Sequence, residues 1–154
     1  MWSRRIPGLA AALVAVALLC ASAHAEEDAA EQWPLNVIIL HTSDTEGGVD
    51  PRAREYDERL KKTLRYNSLR VLGEKRLELQ ADEVGTIPLP NGRDLRVQPV
   101  HKGKQGLLMG IDVEGSVKLD ARARKGHRVV IDGGPYEDGN LAISIEPDYL
   151  EAED

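Results

Sequence analysis

The chain has 154 residues, 20 basic and 26 acidic side chains, a net charge of −6 and one cysteine. An acidic balance repels the phosphates of nucleic acids and anionic membrane surfaces, which excludes both as expected partners. A lone cysteine closes no internal disulfide, and the length suits one compact domain held by packing.

Arg4 and Arg5 precede an uncharged apolar stretch from Leu9 to Leu19, and Ala23-His24-Ala25 follows. That order is the layout of a secretory signal peptide, with cleavage expected after Ala25. The apolar stretch is shorter than the ~20 residues that span a bilayer, so no transmembrane segment is expected after cleavage. Removing residues 1–25 leaves 129 residues, takes away Cys20 and two arginines, and shifts the charge from −6 to −8. The expected destination is the periplasm or the extracellular space.

Residues 26–34, acidic and alanine-rich, read as a flexible leader, and residues 35–154 as a single β-rich domain. Leu35 to Leu40 is an apolar, partly β-branched run, the mark of a strand covered on both faces. Gly47-Gly48 permits a turn, and Asp50-Pro51 begins a helix: an aspartate caps free N–H groups and a proline fits the first helical position. The stripe Ala53, Tyr56, Leu60 and Leu64 predicts a helix from Pro51 to about Tyr66.

From Ser68 onward the apolar period becomes two. Leu69/Val71, Leu77/Leu79, Ile87/Leu89, Leu95/Val97, Leu107 to Val113, Val117 to Ala123, Val129/Ile131 and Leu141 to Ile145 alternate with polar neighbours. Turn pairs such as Asn91-Gly92, Glu114-Gly115 and Lys125-Gly126 separate them. The predicted class is α+β and mainly antiparallel: one strand, one helix, then about seven or eight strands in a curved sheet or small sandwich.

Leu40-His41-Thr42-Ser43-Asp44-Thr45-Glu46-Gly47 locally resembles the first motif of the 5'-nucleotidase-type metallophosphoesterases, Leu-His-Thr-x-Asp-x-His-Gly. The resemblance implies Asp44 as a ligand in a two-metal phosphoryl-transfer site. Glu46 stands where that family has histidine, and its later motifs Gly-Asp-x-x-Asp, Gly-Asn-His-Asp and Gly-His-x-His are missing. The likeness is read as fortuitous, and the stretch as a buried strand, a turn and a helix cap. Asp44, Glu46 and Asp50 also crowd oxygen donors that suit Ca²⁺, but without EF-hand spacing, so solvated acids at a strand end are the simpler reading.

Asp132 to Gly139 has two readings. As structure it is a hairpin connection whose glycines take positive φ and whose Pro135 stiffens the tip. As function, Gly134, Pro135, Tyr136, Glu137 and Asp138 form a partner-contact loop that presents Tyr136, although Tyr136 can instead fold back onto the sheet. No nucleophile elbow, Walker loop, dinucleotide glycine pattern or Cys-x-x-Cys occurs. His41, His101 and His127 read as solvated or capped, so no catalytic residue and no cofactor is expected.

The longer pattern resembles a group of short exported bacterial β-rich proteins. It comprises a signal peptide, an apolar strand, Gly47-Gly48-Val49-Asp50-Pro51 into a helix, the turn Leu89-Pro90-Asn91-Gly92-Arg93, and a closing Gly133-Gly134-Pro135 hairpin that ends at Gly139. The resemblance implies a fold and an address and brings no activity. The leading expectation is an exported, non-catalytic domain that binds another envelope or secreted protein or enters an envelope assembly. A small-ligand or Ca²⁺ module is the alternative, and a metallophosphoesterase-like enzyme the third.

Overall fold

The computed structural model of the protein describes residues 31–149, so the expected signal peptide and most of the expected leader lie outside it. Nine strands occur among the described residues: β1 Trp33–Ser43, β2 Gly48–Val49, β3 Ser68–Leu79, β4 Gly85–Pro88, β5 Asp94–Gly103, β6 Gly106–Val113, β7 Val117–Ala123, β8 Val129–Tyr136 and β9 Gly139–Pro147. One helix, α1 Arg54–Leu60, follows the single 3-10 turn Pro51–Ala53. The strands form two sheets, ordered β2-β3-β1-β9-β8 and β4-β5-β6-β7. All pairings are antiparallel except that of β2 with β3. The α+β expectation holds, with seven strands after the helix and the sandwich as the architecture.

β1 is the middle strand of the first sheet, which explains its unbroken apolar run. Leu35, Val37 and Ile39 enter the core between the sheets, where they meet Leu95, Leu107, Ile111, Leu141 and Ile143. Leu40 belongs to a second cluster on the other face, with Ala53, Tyr56, Leu60, Leu69, Val71 and Ala142. Each such side chain removed from water contributes about 1.5–3 kcal/mol. The strand starts at Trp33, inside the segment expected to be flexible, because the indole is itself part of the inter-sheet core and 7% exposed.

The helix start is the one expected: the Asp50 side chain accepts from the Arg52 N–H at 3.0 Å, and Pro51 opens the first turn. Its end differs. The helix stops at Leu60 rather than near Tyr66, and Leu64 is 40% exposed. Six more helical residues would carry the chain about 9 Å further from the sheet. Instead Tyr66 folds back, its hydroxyl donating to the Asp57 carboxylate at 2.6 Å, and Asn67 N–H reaches the Ser43 carbonyl at 2.8 Å. The chain thereby returns to start β3.

Two alternating pairs expected separately, Leu69/Val71 and Leu77/Leu79, lie in the one long strand β3. The register against β1 shifts between Ile39 and Leu40, which leaves Leu72 as an extra residue, 37% exposed. The stretch 132–139 also differs from a loop stiffened by proline at its tip. Gly133, Gly134, Pro135 and Tyr136 belong to β8, whose register shifts at Asp132/Gly134, and only Glu137 and Asp138 form the turn. Gly134 does take positive φ, at 93°, whereas at the tip it is Glu137 that adopts φ 50°. Gly139 is required for another reason: a Cβ there would collide with the Thr42 backbone carbonyl of the neighbouring strand.

Candidate functional site

One end of the sandwich gathers polar groups around the last residues of β1. His41 and Ser43 alternate with Leu40 and Thr42 along the strand and therefore share a face. His41, expected as solvated or capped, is not solvated: it is fully buried, because Tyr136 folds back over it with the rings edge to face at 5.3 Å. His101 and His127 are exposed. The Arg70 guanidinium lies 3.1 Å from His41 Nδ1, and His41 Nε2 lies 3.1 Å from the Tyr136 carbonyl oxygen. Arginine only donates, so Nδ1 is the acceptor and Nε2 carries the proton and donates to Tyr136.

Asp138, on the β8–β9 turn, locks the same end. Its Oδ2 accepts from Ser43 Oγ at 2.6 Å and from Thr45 Oγ1, while its Oδ1 lies 3.7 Å from His41 Nε2. The Ser43 hydroxyl first, and the Thr45 hydroxyl next, hold the Asp138 carboxyl below its ordinary range. Ser43 Oγ in turn accepts from Thr45 N–H at 3.0 Å. The serine is thus bonded directly to the carboxylate with no imidazole between them, which is not the order of a proton relay to a nucleophile.

His41, Glu137 and Asp138 have ligand atoms within 4.8 Å of one another. In the hydrogen-bond arrangement described, Nε2–H offers no lone pair to a metal, and Nδ1 faces a cation. A carboxylate pair alone then remains, on an exposed turn. The three calcium candidates are not brought together in that cluster. Asp44 and Glu46 are exposed, and the Asp50 carboxylate is engaged by Arg52 N–H, by Arg52 Nη2 at 3.2 Å and by Val71 N–H at 3.4 Å. Those bonds, the Arg52 backbone N–H first, hold the Asp50 carboxyl below its ordinary range. Of the expected contact loop, Gly134 is buried, Tyr136 is half-buried, and Pro135, Glu137 and Asp138 are exposed. The sequence does not reveal Ser43, Thr45 and Arg70 as partners of this group; the sole signal is the alternation of His41 and Ser43.

A groove of about 510 Å³ beside α1 is lined by Glu55, Tyr56, Glu74, Arg76, Arg128 and Glu146 among others. Its centre is an ion-paired cluster: Arg128 Nη2 meets Glu55 at 3.3 Å and Glu146 at 3.4 Å, and the guanidinium lies 4.5 Å above the Tyr56 ring. That cluster joins helix to sheet, while Arg76 at the groove's other side pairs with Asp148.

The outer strands of the first sheet are treated differently. β8 is tied to the turns of the second sheet: Asn91 Nδ2 donates to the Gly133 and Pro135 carbonyls at 2.9 and 3.2 Å, and Ser116 Oγ to that of Asp132 at 3.4 Å. On the far side of β3, β2 pairs with Ser68 and Leu69, and Asp50 and Arg52 side chains bond Val71 N–H and C=O. From Gly73 to Leu79, among the described residues, no strand pairs with β3 on the side away from β1. This open edge carries the exposed charges Glu74, Lys75, Arg76 and Glu78, with Leu77 packed against the core.

Comparison with protein-family models, with curated proteins and with solved structures finds no match. Among the described residues no helix is long and apolar enough to cross a membrane.

Proposed function

We propose that this is an exported, non-catalytic domain that acts in protein binding or envelope assembly by accepting a strand from another chain on the open edge of β3. The observation that carries the reading is the asymmetry of the first sheet: β8 is tied down from Asp132 to Pro135 by Asn91 and Ser116, whereas β3 has a seven-residue run, Gly73 to Leu79, with no strand and no such side-chain tie on its outer side among the described residues. An unpaired row of N–H and C=O groups is a template for an added strand. The alternating charges on this edge disfavour an arbitrary apolar strand and favour one with the opposite pattern. The non-catalytic half of the reading is supported at the polar end, where His41, Ser43 and Asp138 are engaged with one another and with Arg70, Thr45 and the backbone. The signal-like leader, and the resemblance to short exported bacterial proteins, support the address.

The test is site-specific photocrosslinking in cells. A photoreactive residue at Lys75 is expected to give a discrete adduct on a protein that begins at Glu26, and the same probe at Asp132 on β8 to give none. No adduct at Lys75, or equal adducts at both positions, would sink strand addition at β3; a retained Met1 would sink the export.

A further inference from the structure

Strand addition at β3 leaves open which strand is added, and the residues of the edge itself narrow the choice. When two antiparallel strands join with both cores on the same side of the sheet, directly opposed side chains lie on one face. In β3 the faces are fixed by β1: Glu74, Arg76 and Glu78 oppose Ile38, Asn36 and Pro34 on the helix side, and Lys75, Leu77 and Leu79 oppose Val37, Leu35 and Trp33 on the core side. For two copies of the same edge, a two-fold axis must then pass through one residue.

Three centres keep most of the edge paired. An axis through Arg76 opposes Arg76 with Arg76 and Glu74 with Glu78, like charge against like. An axis through Lys75 pairs Glu74 with Arg76 twice but sets Lys75 against Lys75 on the core side. An axis through Leu77 pairs Arg76 with Glu78 twice on one face, sets Leu77 against Leu77 on the core face, and opposes Lys75 with Leu79. Only the third has no like-charge opposition. Both side chains of its ion pair are available, Arg76 being 51% and Glu78 57% exposed. Arg76 already meets Asp148 at 2.7 Å and lies 3.7 Å from the Glu78 of its own strand, so the second copy's carboxylate would complete a network rather than recruit a free cation.

We infer that the strand added to β3 is β3 of a second copy of this chain, paired antiparallel about Leu77 to join two five-stranded sheets into one of ten. The inference rests on the strand-addition reading and names its partner. Sedimentation equilibrium of the purified protein tests it. The wild type is expected at twice the monomer mass, and Arg76→Glu and Glu78→Arg each at the monomer mass, because each opposes like charges twice. Mixed in equal amounts, the two variants are expected to recover the dimer mass, since the edge made wholly acidic at positions 76 and 78 then faces the edge made wholly basic there. Folding of each variant is checked by circular dichroism, and both substituted positions are exposed. A monomeric wild type overturns the second-copy inference, as does a dimer unmoved by either substitution or a mixture that stays monomeric. If the wild type is monomeric while a probe at Lys75 still captures a different protein, strand addition stands without self-pairing; if neither occurs, both readings fall.

Discussion

Asp138 is the residue through which the end of the sandwich responds to acid. Its carboxylate is held below the ordinary range by the Ser43 hydroxyl and then by that of Thr45. A carboxyl whose folded value is depressed stabilises the fold fully above its unfolded value of about 3.9, and that contribution is lost as pH falls through the lower folded value. The melting temperature of the wild type is therefore expected to exceed that of Asp138→Asn at pH 7 and the gap to close below about pH 4. A gap that persisted unchanged to pH 2 would mean that charge at Asp138 contributes nothing. Asp50, by contrast, is legible as a cap from its sequence neighbours alone, because capping needs only the next few backbone groups. The burial of His41 is not legible, since the Tyr136 that covers it lies 95 residues further along the chain.

At the scale of the elements, periodicity locates the strands well and their ends poorly. Strands β6, β7 and β9 are the alternating segments themselves, since the inner face of each meets the opposite sheet, whereas β5 runs on past the expected Leu95/Val97 pair to Gly103. The pattern overextends the helix because Leu64 continues the stripe of Ala53, Tyr56 and Leu60, and a stripe cannot show where the sheet beneath it ends. Leu60 is 4% exposed and packs in the cluster on the outer face of the first sheet, whereas Leu64 is 40% exposed. Leu60→Ala is expected to cost about 2–5 kcal/mol, the usual range for a truncated core leucine. Leu64→Ala is expected to cost within about 0.5 kcal/mol, as at surface positions. Urea titration of both variants decides it, and equal losses would show that the helix continues as the stripe suggests. The stretch 132–139 misleads for a related reason: glycine and proline mark a turn, but a bulged strand uses glycine in the same way.

The molecule as a whole is organised around β1, which lies between β3 and β9 and supplies side chains to both hydrophobic clusters. Its partners arrive at very different times. Ile39 pairs with Gly73 and also with Ile143, and the second contact closes a loop of about a hundred residues, an entropic cost met only when the final strand is in place. A chain ending before Gly139 is accordingly expected to show no cooperative thermal transition and to expose its amides fully to hydrogen exchange. A cooperative transition in that truncated chain would show that the other strands suffice. For a chain made from its N-terminus, this placement acts as a timer: β1 is made early but acquires its second neighbour late, so the core stays open until nearly all of the chain is present.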